Sequence, residues 1–373
     1  MKQNPFILSG YKGPEYFCDR ENEKNRILGS IRNQRNITIA SPRRMGKTGL
    51  ILHTFHELSG DKSIYPVYFD VLGTTNLGEF SEFFGNALLG SVARTDRGFK
   101  RIMKQLIHLR PELRFDPLSG EPKISFDIRN QNDALTSLDS IFNLIKGKEG
   151  WFVVAIDEFQ QILQYPEKNM EAILRSYVQQ TTNTVFIFSG SKRHLLADMF
   201  SNPARPFFGS TEMLFLETVP AEDYHNFIKF HFTNARKEIE DVAIDRIFSV
   251  TALHTYYIQF LCNRLYSSFN RIRPDHVEST LVTILRENEA VYANYLNVLT
   301  TTQFRTLRAI AVEGEVESPN SKEFLQKYDL GAASTVSQAI LSLIAKEFIM
   351  RDQNKLVVQD KFFREWLKLK SHL

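Results

Sequence analysis

The chain has 373 residues, of which 43% are hydrophobic and 24% charged, values ordinary for a globular protein of two or three domains. Its net charge of +3 neither demands nor excludes a nucleic-acid partner, and its two widely separated cysteines argue against a disulfide framework or a thiolate zinc site. We see neither the apolar core of a secretory signal nor an apolar run long enough to span a bilayer. We therefore expect a cytoplasmic protein with no membrane partner.

The chain starts with a lead-in segment followed by a helix. Residues 1–15 contain two prolines and two glycines, which predicts an extended segment. Residues 17–28 then predict a helix, because Asp19 is a suitable N-cap and acidic residues occupy the first turn.

A strand, a tight loop and a helix follow within Ile37–Leu52. Ser41 to Thr48 match the phosphate-binding pattern G-x-x-x-x-G-K-[ST] at every place except the first, where Ser41 stands for glycine. The backbone N–H groups of such a loop favour anions, and Gly46 lets the backbone approach a phosphate closely. We expect Lys47 to bring its charge to the β- and γ-phosphates and Thr48 to bring its hydroxyl to Mg²⁺. The alternative is an ordinary strand-to-helix turn.

The candidate nucleotide-binding residues of this loop form one continuous set. They are Ser41, Pro42, Arg43, Arg44, Met45, Gly46, Lys47, Thr48 and Gly49.

Four further strands alternate with helices up to residue 216. The strands are predicted at 63–70, 151–158, 184–189 and 212–216, and the helices at 76–93, 132–146, 159–164 and 169–182, with a hairpin insertion at 114–127. Five strands alternating with helices predict a three-layer α/β domain with a mainly parallel sheet. In such sheets, ligands bind at the carboxyl ends of the strands, where the polar motifs of this chain cluster.

Two of the strands end in polar residues suited to catalysis. Asp157 and Glu158 end a continuous apolar run, so we expect Asp157 to hold Mg²⁺ through water and Glu158 to polarise the attacking water. The alternative is an acidic strand end that is merely exposed. Ser189 and Ser191 follow the next strand and are candidates for sensing the γ-phosphate, although Ser191 fits a helix N-cap equally well.

The remaining chain predicts two smaller regions. Residues 217–295 read as wholly helical, and His254 within them either contacts nucleotide or packs in an apolar core. Residues 296–373 show three helices followed by a hairpin, the order of a winged helix. This region has eleven Lys and Arg against nine Asp and Glu, and its third helix has no clustered basic face. Its partner is therefore nucleic acid, another protein, or the rest of the chain.

Nearly the whole chain resembles the archaeal-type ATPases of the STAND branch of the AAA+ superfamily. The resemblance rests on Pro42-Arg-Arg-Met-Gly-Lys-Thr48, Ile156-Asp-Glu158, Phe188-Ser-Gly-Ser191, Pro206-Phe-Phe-Gly209 and Val358-Gln-Asp-Lys-Phe-Phe-Arg-Glu-Trp-Leu367. It implies an ATP-binding P-loop NTPase core of the ASCE/AAA+ type at 1–216, a helical lid at 217–295 and a winged helix at 296–373. It also implies a switch between ATP and ADP states.

The sequence departs from the family pattern at three places. Ser41 replaces the first loop glycine, Ser210 stands where the family commonly has arginine, and Leu253-His-Thr255 replaces Gly-His-Pro. Arg205 and Arg193 are therefore the candidates for a catalytic contact to the γ-phosphate, unless another subunit supplies an arginine.

These observations lead to one main hypothesis and two alternatives. The main hypothesis is an ATPase that binds ATP with Mg²⁺, hydrolyses it slowly and changes its domain arrangement. The alternatives are a winged-helix nucleic-acid-binding regulator and a signalling or defence scaffold that forms homo-oligomers on ATP binding.

Overall fold

The computed structural model describes residues 4–92, 111–115, 122–126, 131–352 and 354–370. These residues form two compact units. The first unit is Ser9–Thr218, and the second combines Met1–Leu8 with Val219–Leu373.

The first unit contains seven strands within the described residues, and five of them build one sheet. In chain order they are β1 (Ile37–Ala40), β2 (Ile64–Asp70), β3 (Pro111–Phe115), β4 (Pro122–Phe126), β5 (Trp151–Asp157), β6 (Thr184–Gly190) and β7 (Glu212–Phe215). The five-stranded sheet has the order β2-β5-β6-β1-β7, and every pair in it is parallel. All five strands predicted for this sheet are confirmed.

The helices of the first unit cover both faces of this sheet. They are α1 (Glu21–Arg32), α2 (Lys47–Leu58), α3 (Leu77–Val92), α4 (Gln131–Lys146), α5 (Met170–Gln180) and α6 (Arg193–Ser201), with 3-10 helices at Pro14–Tyr16 and Phe159–Gln164. Along β5, Val154 packs in one apolar core with α3 and α4, whereas its neighbours Val153 and Ala155 pack in a second core with α1 and α2. Because successive strand residues point to opposite faces, the sheet is buried on both sides, and the predicted three-layer α/β fold is confirmed.

The structure tests two further predictions for this unit, the start of α1 and the hairpin insertion. Helix α1 begins at Glu21, and both Asp19 (φ 51°) and Arg20 (φ 71°) adopt left-handed backbone, so the prediction that Asp19 is the N-cap is wrong. Strands β3 and β4 pair antiparallel as the hairpin prediction requires, while the residues between them lie outside the described part of the chain.

The second unit is mainly helical. Its helices are α7 (Ala221–Asn234), α8 (Asp241–Thr251), α9 (Thr255–Ser268), α10 (Pro274–Glu287), α11 (Glu289–Asn297), α12 (Thr301–Glu313), α13 (Lys322–Lys327), α14 (Ala333–Ala345) and α15 (Lys361–Leu369). Two short strands, β8 (Glu238–Ile239) and β9 (Arg271–Ile272), form a parallel pair. The prediction of a wholly helical region at 217–295 missed this pair, because two-residue strands leave no periodic pattern.

The winged helix lies at the C-terminal end of this unit. Helices α12, α13 and α14 are followed by an antiparallel hairpin of β10 (Ile349–Asp352) and β11 (Lys355–Val358). The Oγ atom of Ser321 accepts a 3.2 Å hydrogen bond from the backbone N of Phe324, so Ser321 caps α13. The separation of a lid at 217–295 from a winged helix at 296–373 stays a prediction.

The N-terminal residues belong to the second unit although they precede the first in sequence. Asn4 Nδ2 donates to the backbone oxygen of Asn263 at 2.9 Å, and Asn263 Nδ2 donates to the oxygen of Phe6 at 2.7 Å. The Phe6 ring is only 1% exposed and packs against Phe232 and Tyr266. These residues therefore form part of the core of the second unit.

None of the helices in the described ranges has both the length and the apolar character that crossing a membrane requires.

Candidate nucleotide-binding site

The predicted phosphate loop joins the end of β1 to the start of α2. Two of its residues have left-handed backbone, Arg44 with φ 63° and Gly46 with φ 92°. Gly46 is the N-cap of α2, so the first backbone N–H groups of the helix face the loop without intrahelical partners. This geometry is a ready site for an anion.

The Lys47 side chain lies folded into this loop. Its Nζ atom donates to the backbone oxygens of Ser41 and Pro42 at 3.3 and 3.2 Å. The side chain is 5% exposed, and this burial lowers the pKa of the amine, while Glu158 and Asp157 oppose the shift. The ammonium group is thus desolvated and satisfied by carbonyl oxygens, which are weaker partners than phosphate oxygens.

The remaining loop residues occupy different environments. Ser41 and Met45 are buried, whereas Arg43 and Arg44 are exposed. Gly49, in the first turn of α2, faces the ring of Phe17, and a Cβ atom there would lie 3.1 Å from that ring.

Asp157 is the centre of the polar cluster at the carboxyl end of the sheet. Its Oδ2 atom accepts hydrogen bonds from Thr48 Oγ1 at 2.6 Å and from the Tyr68 hydroxyl at 3.0 Å. Its Oδ1 atom accepts from Ser189 Oγ and from the backbone N of Glu158. The structure therefore brings together Thr48, Asp157 and Ser189, which were singled out from three separate parts of the sequence.

Glu158 sits beside this cluster in a constrained position. Its backbone is left-handed, with φ 54° and ψ 38°. One carboxylate oxygen, Oε2, accepts from Gln160 Nε2 at 2.6 Å, from Ser191 Oγ at 2.7 Å and from the backbone N of Ser191 at 3.2 Å. Helix α6 begins at Arg193 with Lys192 as its N-cap, so the alternative that Ser191 caps this helix is wrong.

The predicted catalytic arginine has a different set of partners. Arg205 Nη2 lies 3.2 Å from Glu171 Oε2, and Arg205 Nε lies 3.2 Å from Asp198 Oδ2. Arg193 pairs with Glu217 at 2.9 Å. Among the described residues, both arginines thus contact carboxylates outside the Asp157 cluster, and the catalytic role of Arg205 stays a prediction.

His254 belongs to the second unit. It is the N-cap of α9 and follows two left-handed residues, Ala252 and Leu253. Its ring packs edge-on against Tyr257, with centroids 4.9 Å apart. Its contact with nucleotide stays a prediction.

Several residues of the site were not predicted from the sequence. Tyr68 donates to Asp157 and Gln160 donates to Glu158, and a tyrosine or glutamine near a strand end gives no signal of such a contact. Asp70 pairs in register with Asp157, and burial raises the pKa of its carboxyl, with further contributions from Asp157 and Glu158. The strand-end position of Asp70 was the available signal. Arg20 is 4% exposed and donates to the backbone oxygen of Met45 at 3.4 Å, which links the start of α1 to the phosphate loop.

The loop and the Asp157 cluster agree with the family comparison. The family described as an ATPase domain predominantly from Archaea matches residues 17–259, about two thirds of the chain. The chain belongs to this family. A second family, described as a probable winged helix domain, matches residues 290–369. Membership of the STAND branch specifically stays a prediction. Comparison with the curated proteins gives no match.

Solved structures support the same fold over the full length. A Walker-type ATPase of Pyrococcus abyssi is 16% identical with a TM-score of 0.64, and the match covers 98% of this chain and 99% of that one. The Aeropyrum pernix ORC2 protein is 13% identical with a TM-score of 0.56, covering 100% and 99% of the two chains. The Aeropyrum pernix ORC1 protein is 12% identical with a TM-score of 0.54, covering 99% and 97%. The ATPase family and its P-loop fold, with a winged helix, are thus established for this chain.

Proposed function

We propose that this protein is a conformational switch that binds ATP with Mg²⁺ and hydrolyses it slowly. The observation that carries the proposal is the arrangement of Thr48, Ser189 and Tyr68 as donors to one buried carboxylate, Asp157. This carboxylate lies beside a phosphate loop whose lysine is desolvated. The structure of the ORC2 relative contains ADPNP and ADP, which supports an adenine nucleotide as the ligand.

The residues present fit this ligand. The loop from Ser41 to Gly46 and the N-terminus of α2 offer backbone N–H groups to the phosphates, and Lys47 exchanges its carbonyl partners for β- and γ-phosphate oxygens. Thr48 Oγ1 would bind Mg²⁺ while still donating its proton to Asp157, and Asp157 would hold the metal through water. When bound, Mg²⁺ neutralises charge on the transferred phosphoryl group.

The hydrogen bonds and ion pairs of the proposed catalytic groups support slow hydrolysis. Glu158 is expected to orient the attacking water, but its carboxylate already accepts three hydrogen bonds, from Gln160 and Ser191. These bonds occupy the lone pairs of Oε2 and hold the carboxylate in its present orientation. The guanidinium of Arg205 is paired with two carboxylates. Turnover therefore requires both side chains to change partners.

The first experiment tests nucleotide binding. We expect MgATP to raise the free energy of unfolding by about 2.7 kcal/mol at one hundred times its Kd, and Lys47→Ala to abolish this gain. Lys62→Ala removes an exposed lysine in the same unit and serves as the control. Equal ATP affinity for Lys47→Ala and the wild type in calorimetry would contradict the proposal.

The second experiment separates binding from turnover. Glu158→Gln keeps the side-chain shape but removes the base, so ATP should bind while phosphate release falls by about 10²–10⁴-fold. Glu149→Gln, an exposed change in the same unit, should leave both quantities unchanged. Persistent turnover in Glu158→Gln would remove Glu158 from the mechanism.

The switch itself is tested by comparing nucleotide states. Amide hydrogen exchange in the second unit should differ between MgATP-bound Glu158→Gln and the MgADP-bound wild type. Identical exchange in the two states would leave an ATPase without a switch.

A second candidate function is nucleic-acid binding through the winged helix. The structure of the ORC1 relative is a complex with DNA. Helix α14 contains no lysine or arginine, and Lys346 just beyond it donates to the backbone oxygen of Val298 at 2.6 Å. Arg305 and Arg308 on α12 line a surface cavity of about 350 Å³ together with Tyr328. Phosphate contacts are therefore expected from α12 and not from α14.

This candidate is tested with duplex DNA at low salt, where the phosphate contribution to binding is strongest. Arg305→Ala should weaken binding and reduce the salt dependence, whereas Lys346→Ala should not. Absence of DNA binding at low salt, about 20–50 mM, would reject this candidate function.

A further inference from the structure

A surface cavity of about 570 Å³ lies in the second unit, where the end of α7 meets the short pair of β8 and β9. Its volume is in the range of sites that bind small molecules. In the described part of the chain, four of its lining residues are cations and two are carboxylates. The cations are Lys229, Arg236, Lys237 and Arg271, and the carboxylates are Glu238 and Glu240.

The two lysines of this cavity already bind groups of the protein. Lys229 Nζ donates to the backbone oxygen of Ile239 at 2.7 Å and pairs with Asp241 at 2.7 Å. Lys237 Nζ donates to the backbone oxygens of Tyr266 and Phe269, both at 2.7 Å. Lys237 thereby satisfies carbonyls at the C-terminal end of α9. Both ammonium groups therefore have a structural role.

The two arginines of the cavity are held much less firmly. Arg236 is exposed, and none of the described residues binds its side chain. Arg271 Nη2 lies 3.4 Å from Glu240 Oε1, and Arg271 Nε lies 3.6 Å from Glu238 Oε2. The three side chains of these ion pairs are 38% to 76% exposed, and such exposed pairs contribute little stability. Both guanidinium groups are therefore available to an anion in the cavity.

The backbone at Arg236 has a conformation that favours glycine. Its φ is 60°, and it directly follows Ala235, the C-cap of α7. The backbone N of Arg236 donates to the oxygen of Thr233 at 2.9 Å. The backbone N of Lys237 donates to the oxygen of Phe232, also at 2.9 Å. This is the Schellman motif, in which glycine is the usual residue at the place of Arg236. Arginine there destabilises the helix end relative to glycine, and such strain is typical of binding sites.

The mixture of charges in the cavity indicates the kind of ligand. A guanidinium group offers parallel N–H donors that match two oxygens of a phosphate group, whereas an ammonium group acts as a point charge. Glu238 and Glu240 would repel a bare anion, but carboxylates accept hydrogen bonds from sugar hydroxyls, as they do from ribose in dinucleotide sites. A ligand with both a phosphate group and hydroxyl groups satisfies all four side chains.

We propose that this cavity binds a terminal sugar phosphate. Arg236 and Arg271 bind the phosphate group. Glu238 and Glu240 accept hydrogen bonds from the sugar hydroxyls. The site lies wholly within the second unit and does not depend on a nucleotide at the phosphate loop. The same chemistry occurs in a free sugar phosphate and at the phosphorylated 5′-end of an RNA strand, and titration with each separates the two sources.

The phosphate contact is tested by calorimetry with ribose 5-phosphate on the full-length protein carrying Lys47→Ala, in which the phosphate loop does not compete for the probe. Adding Arg236→Gly should weaken binding by about tenfold, the usual loss for one hydrogen bond from a charged group. It should not lower the melting temperature, because glycine suits a left-handed backbone. Absence of ribose 5-phosphate binding, or equal binding by Arg236→Gly, overturns the proposal.

The control is Arg264→Gln on α9. Arg264 forms an exposed ion pair with Glu287 at 2.7 Å, so this variant removes one positive charge from the same unit outside the cavity. Arg264→Gln should leave the affinity for ribose 5-phosphate unchanged. A loss equal to that of Arg236→Gly would reflect only the net charge of the unit, and it too overturns the proposal.

The sugar contact is tested with Glu240→Ala. This variant removes a hydroxyl acceptor and a repulsive charge, so the ratio of ribose 5-phosphate affinity to inorganic phosphate affinity should fall. An unchanged or higher ratio contradicts recognition of the sugar.

The source of the sugar phosphate is tested with a short single-stranded RNA, with and without a 5′-phosphate. Tighter binding of the phosphorylated strand than of ribose 5-phosphate assigns the site to RNA ends, and weaker binding assigns it to a free sugar phosphate. Equal, Arg236-dependent binding of the two strands indicates contact with internal backbone phosphates and overturns the proposal of a terminal phosphate.

Discussion

The hydroxyl of Tyr68 and the hydroxyl of Thr48 donate to the same oxygen of Asp157, at 3.0 and 2.6 Å. Burial and the neighbouring Asp157 raise the pKa of Tyr68, so its hydroxyl remains a donor at any physiological pH. The carboxylate is therefore oriented from the strand next to it as well as from the phosphate loop.

Tyr68→Phe is expected to weaken the Mg²⁺-dependent part of ATP binding by about tenfold, because a hydrogen bond to a charged group is worth roughly 1.5–3 kcal/mol. Affinity measured without Mg²⁺ should change much less. Tyr65→Phe, on the same strand with its ring stacked on Phe152, is the control. An equal loss with and without Mg²⁺ would show that Tyr68 does not act through the metal site.

Gly190 leaves the space that Gln160 occupies. A Cβ atom added at Gly190 would lie 1.9 Å from Gln160 Oε1, so Gly190→Ala should destabilise the first unit by about 1–3 kcal/mol through overpacking. Gln160→Ala in the same chain should recover most of that loss, because it removes the atom that clashes. Chemical denaturation of the two single variants and the double variant measures this coupling, and simple additivity would contradict it.

The ion pair of Arg205 with Glu171 predicts a pH-dependent stability effect. Burial raises the pKa of Glu171, while Arg205 lowers it. Only the ionised carboxyl of Glu171 attracts Arg205. Loss of Arg205 therefore destabilises the fold most above the pKa of Glu171 and least below it, where the carboxyl is protonated. Arg205→Met should therefore lose about 3 kcal/mol at pH 7.5, and the loss should shrink as the pH falls through the pKa of Glu171.

Glu171→Gln should suppress this penalty, which allows the predicted catalytic role of Arg205 to be measured separately. In the Glu171→Gln background, a loss of ATP turnover on Arg205→Met that exceeds the loss of stability would support the catalytic role. Unchanged turnover in that background would leave Arg205 a purely structural residue.

Lys361 predicts a pH effect in the second unit. Burial, and secondarily Arg364, lowers its pKa from 10.5 to about 8, and its Nζ donates to the backbone oxygen of Val358 at 3.1 Å. Between these two pKa values the unfolded chain binds more protons than the folded one, so stability rises with pH. Lys361→Met should remove that rise, which amounts to about 2 kcal/mol between pH 7.5 and 10. Parallel pH dependences of the two proteins would show that Lys361 titrates normally.

The sequence predicted the sheet and the phosphate loop because both have strong local signals. Continuous apolar runs mark the buried parallel strands, and the spacing from Ser41 to Thr48 marks the loop. Asp157 and Ser189 could be assigned to one edge of the sheet, because each ends a predicted parallel strand.

The partners of Asp157 and Glu158 could not be predicted, because they depend on pairing between distant segments. Tyr68 reads as one of several aromatic residues in a strand, and only the register of β2 on β5 brings it to Asp157, 89 residues away. The local sequence predicts Ser191 as an N-cap, but its hydroxyl donates a hydrogen bond to Glu158. Helix α15 was recognised only as a motif, although Asp360 before an apolar run was a usable capping signal.

The placement of Asn4 and Phe6 in the second unit affects how the chain can be made and handled. The hydrogen bond from Asn4 to Asn263 spans 259 residues, so this contact waits until the ribosome has completed the whole first unit and much of the second. The first unit can fold while its N-terminal flank is still unpaired. A tag or deletion at the N-terminus is therefore expected to lower the melting temperature of the C-terminal unit and to leave that of the ATPase core unchanged.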